Sequence, residues 1–229
     1  MTYSEPMQAY VSARGRAIAL TILTIVQLVL LVLATGAWAV GASALGGDMT
    51  SAAASFGLAA GLEVFDLLVF IAATVVFLTW VYRAIANLSP LGSMSCRFTP
   101  AGAVWSWFIP FVNLVRGHQV MATIWQESQP PAVNENGFYL PRKATIVHWW
   151  WGLYLFTGVV GIATQNSHPF GIEELRSLAS SQIGLHFLRI ATALLFLFMV
   201  RGAQKRQEEQ WQDLERRRDV PQPSAEALR

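Results

Sequence analysis

Glu63, Asp66, His186 and Arg189 each interrupt a stretch of chain otherwise apolar enough to cross a bilayer. An ionised side chain at membrane depth costs at least ~2.5 kcal/mol unless it meets a partner charge or water. Glu63 and Asp66 are three residues apart, which sets both carboxylates on one face of a helix. His186 stands one turn before Arg189 on another such stretch. Three chemistries fit these residue types. A single arginine reaching both carboxylates, with the imidazole beside it, staples two helices together. The same groups could instead pass protons or ions, or hold a charged ligand near one membrane face. The third reading has each charge snorkelling to the interface unaided.

The elements that must position these groups follow from composition. The 229 residues are 54% hydrophobic and only 13% charged, about half the charge of a soluble domain. A net charge of +2 makes no case for a nucleic-acid partner. The single cysteine, Cys96, rules out an intrachain disulfide and a paired-thiol or Cys-rich zinc site. Four runs are long and apolar enough to span, at about 17–40, 58–80, 145–164 and 183–200. They form a membrane domain over 17–200, between an N-terminal segment 1–16 and a charged tail 201–229. Ala37-Trp38-Ala39 offers a small-x-small cleavage site, but the run before it exceeds the ~7–15 residues of a signal peptide and reads as a retained first span. Gly41–Phe56 reads as a connector of small and polar residues. Gln165–Gln182 is a polar connection whose second half, after Pro169, has helical spacing. The tail from Arg201 continues the last helix and should stop near Pro221. Gly57-x-x-x-Gly61 and Thr157-x-x-x-Gly161 are spacings that allow close helix packing within the monomer.

The segment 98–127 is different. Thr99-Pro100 reads as an N-cap followed by proline at the first helical position. Pro110 should kink or break the run. Beyond it Leu114, Met121, Ile124 and Trp125 recur at helical spacing among polar residues, the pattern of an interfacial amphipathic helix. Gln129–Arg142 reads as a loop. Basic residues decide whether the segment crosses. If it turns back and the N-terminus is cytoplasmic, 14 of the 16 Lys and Arg residues lie inside, and only Arg176 lies outside. If it crosses, Arg116, Arg142, Lys143 and the basic tail all move outside, against the rule. The expected fold is therefore an all-α integral membrane protein. It has four transmembrane helices, a Pro-kinked re-entrant or interfacial hairpin, a charged C-terminal cytoplasmic helix, and both termini inside. The second and last spans then run in the same direction, with Glu63, Asp66 and Arg189 at matching depths of roughly 7–12 Å at 1.5 Å per residue.

Arg83, Asn87, Asn113 and Arg116 fall near the inner headgroup layer and are candidates to bind an anionic headgroup, phosphate or peptide. No HExxH, GxSxG or P-loop pattern occurs. His118 and Glu127 could do acid–base work on a lipid, but a carboxylate on an amphipathic helix is ordinarily just solvated. In the four-span layout His118 and His148 lie on one side and His168 and His186 on the other, so no four-histidine metal site forms. No catalytic residue, metal site or cofactor is expected.

Tyr82-Arg83-Ala84, Asn87-Leu88, Leu91-Gly92, Phe98-Thr99-Pro100, Trp107-Phe108-Ile109-Pro110-Phe111, Asn113-Leu114-x-Arg116, Gln119-Val120-Met121, Ile124-Trp125-x-x-Ser128 and Trp149-Trp150-Trp151 form a series of short motifs. Together they resemble bacterial membrane proteins grouped as domain of unknown function 4328, over roughly 60–200. Members usually carry proline where this chain has Gly117. The resemblance implies a bacterial inner-membrane protein and supplies no activity or substrate. The expected function is a non-enzymatic accessory or scaffold protein that binds anionic lipid headgroups or a protein partner, or self-associates. The alternative is a small transporter or channel-like protein using the Glu/Asp–Arg cluster.

Overall fold

A computed structural model describes residues 9–93, 96–129, 135, 142–165 and 171–219. Among them there are six helices: α1 (Arg14–Ala44), α2 (Met49–Ala86), α3 (Pro100–Trp105), α4 (Pro110–Glu127), α5 (Thr145–Gln165) and α6 (Ile172–Asp219). α1, α2, α5 and α6 are each long and apolar enough to cross a membrane. The loop expected over Gln129–Arg142, His168 and the stop at Pro221 lie largely or wholly outside the described residues.

The connector expected over Gly41–Phe56 is mostly helix, and the break narrows to Leu45–Asp48. Alanine-rich sequence favours helix on both sides of the break. Asp48 caps α2, its Oδ1 accepting from the N–H groups of Thr50 (3.0 Å) and Ser51 (3.1 Å). The Ser51 hydroxyl, and then these N–H groups, hold the Asp48 carboxyl below its usual range. At 38 and 48 residues, α2 and α6 run about 57 and 72 Å, well beyond a ~30 Å hydrocarbon core.

The chain forms two compact units. The first is built from 15–79 and 145–200. Its helices pack through small and aromatic residues, with Ala37, Trp38, Ala59 and Ala179 buried together against Phe56, Leu178 and Ile183. Gly41 permits this approach, since a Cβ there would fall 2.5 Å from the Phe56 ring. Elsewhere Trp150 stacks on Tyr154 and meets Phe196. By contrast Ile22, Val32, Leu58, Val64, Leu68, Val75, Val159, Ile162 and Phe187 are all more than half exposed. So much outward apolar surface is what lipid requires and water penalises. The glycine spacing at Gly57 and Gly61 does not pack the monomer, for a Cβ at either position meets nothing within 4 Å.

The second unit is built from the described parts of 1–14, 80–144 and 201–229. Here the 98–127 segment is two helices. Thr99 caps α3, its hydroxyl oxygen accepting from Gly102 N at 3.1 Å, with Pro100 at the first turn. The ring of Pro110 ends the preceding turn and opens α4. Gly117 is buried inside α4, where it keeps an N–H that proline would lack. Gly117, Val120, Met121, Ile124 and Trp125 form the buried face of α4, while Leu114, expected on it, is exposed. Trp125 lies under Gly202, where a Cβ would come within 3.0 Å, and under the Arg206 guanidinium, 4.0 Å from the ring centroid.

A polar network ties this unit together. Gln207, 1% exposed, donates to Ala84 O (3.1 Å) and Ser128 Oγ (3.0 Å), and Gln210 donates to Ser128 O (3.2 Å). Trp80 donates to Gln204 (3.2 Å), Gln204 to Glu208 (3.1 Å), and Ser12 to Glu208 (2.9 Å). After α2, Gly92 adopts φ +84, a left-handed turn that delivers Ser93 Oγ to Glu127 Oε2 at 2.8 Å. Arg142 donates to the same oxygen at 3.0 Å. Replacing Gln207 by leucine strips partners from two buried groups. The expected loss is about 1–3 kcal/mol, read as a lowered melting temperature in detergent. An unchanged melt would mean that the glutamine is dispensable to this network.

Candidate functional site

The apolar helices of the first unit converge on a charged cluster. Asp66 on α2 is 4% exposed, and its Oδ2 lies 3.6 Å from Arg189 Nη1 on α6. One turn away on each helix, Glu63 Oε1 lies 3.5 Å from His186 Nε2, the imidazole being fully buried. Along α2 and α6 alike, Glu63 and His186 lie roughly 21 Å, and Asp66 and Arg189 roughly 26 Å, from the first helical residue. Thus one arginine does not bridge both carboxylates. The four groups divide into two pairs, Asp66–Arg189 and Glu63–His186.

α1 supplies partners that the charge pattern alone does not reveal. Trp38 Nε1 donates to Glu63 Oε1 at 2.7 Å, and Thr35 Oγ1 meets His186 Nδ1 at 3.1 Å. Thr35 and Trp38 are three residues apart, so they share a face of α1. That spacing of two hydrogen-bonding side chains in an otherwise apolar span is the signal that could have found them. Gln27 of α1 turns toward Asp66. Thr157 meets Thr192 between α5 and α6 at 3.4 Å, while several other hydroxyls are engaged within their own helices. Thr24 donates to Leu20 O, Thr74 to Phe70 O and Thr192 to Leu188 O, each at 2.8 Å.

The candidates Arg83, Asn87, Asn113 and Arg116 differ in their surroundings. Asn87 is 1% exposed and is engaged at both ends by Val11, accepting from its N–H (3.2 Å) and donating to its carbonyl (2.9 Å). It clamps the N-terminal segment and is enclosed by the protein. Arg83 and Asn113 are half-buried and Arg116 is exposed. Among the described residues no hydrogen bond or ion pair joins these four to one another. Beside Arg116 lies an exposed apolar set, Trp105, Phe108, Ile109, Phe111, Leu114 and Val115, with Phe111 86% exposed. An open groove of about 760 Å³ along α5, lined by Trp149, Leu153, Phe156 and Leu195 among others, is apolar.

Helical spans with lipid-facing apolar surfaces and charges paired inside define a multi-pass α-helical membrane protein. The sequence profile of the family described as "Domain of unknown function (DUF4328)" matches residues 41–205, and the chain belongs to that family. No curated protein and no solved structure matches it.

Two outcomes test this geometry. If Asp66 and Arg189 are coupled, Asp66→Asn and Arg189→Leu together destabilise less than their separate effects added. A coupling near 1 kcal/mol in detergent melts is expected for a pair with one member partly exposed, and additive losses would exclude the pairing. At the rim, Tyr10 stacks on Trp211 at 5.0 Å between centroids. Burial, then the Glu208 carboxylate, pushes its phenol up to about 12 from 10.0. The folded state holds this proton more tightly than the unfolded chain. The resulting stabilisation is complete below pH 10 and lost as pH rises through 12. Ultraviolet titration should show a late-ionising tyrosine that disappears in Tyr10→Phe.

Proposed function

We propose that the protein is a non-enzymatic scaffold of the bacterial inner membrane. It crosses four times with both termini in the cytoplasm, and α3 and the first half of α4 lie in the inner headgroup region, where they hold anionic lipid. One observation carries this reading: the insert between α2 and α5 begins and ends at the same point. Ser93, before the insert's helices, is bonded to Glu127 at the end of α4. Gln126 and Gln129 reach the carbonyls of Arg142 and Lys143, just before α5. The same unit contains the bonds of Val11 to Asn87 and of Ser128 to Gln207. Groups within hydrogen-bond reach cannot stand on opposite sides of a ~30 Å apolar layer. A hairpin leaving and returning on one side therefore fits these bonds, and the basic-residue count supports a cytoplasmic assignment for that side.

The exposed set from Trp105 to Val115 then meets the acyl boundary, while exposed Arg97 and Arg116 meet phosphate. Aromatic and aliphatic residues bordered by arginine are the composition of an interfacial helix. The transporter alternative requires a wetted path, and the intrahelical threonine bonds leave few polar groups to line one.

Topology is the test. In a Cys96→Ser background, Glu135→Cys should react with a membrane-impermeant maleimide in inverted vesicles and stay unlabelled in spheroplasts. Labelling of spheroplasts would overturn the layout. In the same preparation Arg97→Ala and Arg116→Ala should each weaken retention of anionic lipid about fivefold, at ~1 kcal/mol per basic residue. Unchanged retention in both would remove the headgroup role while leaving the topology standing.

A further inference from the structure

The hydrogens of the intramembrane cluster can be counted, and one has no fixed owner. Thr35 has a single hydroxyl hydrogen. Its Oγ1 stands 2.6 Å from the carbonyl oxygen of Leu31, one turn earlier in α1. Two oxygens at that distance require a hydrogen between them. Thr35 Oγ1 also meets His186 Nδ1 at 3.1 Å. Its hydrogen being committed to Leu31, the hydroxyl can only accept there, so Nδ1 carries a hydrogen.

A neutral imidazole has one N–H. The remaining nitrogen, Nε2, is fully buried and makes no hydrogen bond, yet it faces Glu63 Oε1 across 3.5 Å. A bare nitrogen lone pair opposite a carboxylate in a dry setting is repulsive. The gap therefore calls for a proton, carried either by Nε2 against a carboxylate or by Glu63 against a neutral ring. Trp38 holds Oε1 in place at 2.7 Å without supplying that proton, because the indole N–H does not titrate.

We infer that Glu63 and His186 form a proton-binding site within the spanning helices, with Thr35 fixing the imidazole so that Nε2 is the face that binds. The ligand is a single proton, and the occupied state is the electrically neutral one. Asp66 and Arg189 cancel, and Glu63, His186 and the shared proton cancel. Losing the proton leaves one net negative charge among apolar side chains, which that environment opposes. The groups facing the site are few. α1 presents Gln27, Thr35 and Trp38, none of which titrates. α2 presents Glu63 and Asp66, and α6 presents His186 and Arg189. α5 comes alongside through Gly161, against Leu185. Its titratable residues, His148 and Tyr154, lie beyond the level where Thr157 meets Thr192. One to two turns toward the starts of α2 and α6, Ala59, Phe56 and Ala179 pack together with Trp38.

The test uses the full-length protein, with histidine ring nitrogens labelled with 15N, in lipid nanodiscs at neutral pH. Nitrogen NMR reads the two sites of His186, assigned by their loss in His186→Gln. Infrared spectroscopy reads a protonated carboxyl, assigned by its loss in Glu63→Gln. If His186→Gln does not fold, the ring is assigned through its proximity to a labelled Thr35 methyl group. The expected result is a protonated Nδ1 and one further proton, the populations on Nε2 and Glu63 adding to one. Thr35→Val should release the ring and raise the tautomer with Nε2–H and bare Nδ1, while Thr35→Ser should retain the wild-type tautomer. A bare Nδ1 in the wild type, or a bare Nε2 opposite an ionised Glu63, or protons on both, would overturn the inference. It stands apart from the headgroup proposal, since neither measurement depends on which side the hairpin faces.

Discussion

Hydrocarbon supplies no hydrogen bonds, and this constraint shapes the whole chain. Every polar group placed among the spans must find its partner inside the protein. The first unit meets the demand by grouping its charges. Asp66, Glu63, His186 and Arg189 occupy adjacent turns of α2 and α6, while Thr35 and Trp38 of α1 complete the set. Apolar packing between helices has little driving force in lipid, since acyl chains are as apolar as leucine. Pairing therefore does what a hydrophobic core does in water: it selects one rotation of each helix. Turning α2 by a single residue, about 100°, would carry Asp66 toward lipid.

The second unit solves a related problem with amides and hydroxyls. Its hydrogen bonds run through Gln204, Gln207, Gln210, Ser128, Asn87 and Ser12, all of them neutral. Neutral groups can be buried completely at lower desolvation cost than ions. This accounts for Gln207 and Asn87 being almost wholly enclosed, whereas Arg189 stays partly open and Arg116 is exposed. It also explains why Asn87 serves structure. An amide donating to and accepting from the Val11 backbone at 1% exposure is shielded from a ligand.

Much of this was legible from residue order alone. The four apolar runs, the Thr99 cap and the break at Pro110 each depend on local chemistry, and the observed helices follow it. The charged residues marked themselves by being costly where they stand. What escaped depends on long-range pairing. Gly41–Phe56 looked like a connector because glycine, serine and threonine are common in loops. Its alanines and the Asp48 cap make it helix. Trp38 stood only as the middle residue of a small-x-small triplet, and only the approach of α2 turns its N–H into a ligand for Glu63. Gln204 and Gln207 looked like ordinary residues of a charged tail. Their burial arises from Trp80, Ala84 and Ser128, far away in sequence.

The division into two pairs matters more than the presence of four charges. A guanidinium keeps its proton at any relevant pH, so Asp66–Arg189 is a fixed pair whose energetic role is to set register. An imidazole beside a carboxylate can exchange a proton between its partners without moving either helix. Thr35 makes the difference, because a hydroxyl whose hydrogen is already used gives the ring only one workable tautomer. Were Thr35 valine, the same four charges could still staple α2 to α6, but nothing would direct Nε2 at Glu63. A structural cluster uses that threonine as well, as the partner of buried Nδ1; what a proton site adds is a defined atom, Nε2, facing Glu63.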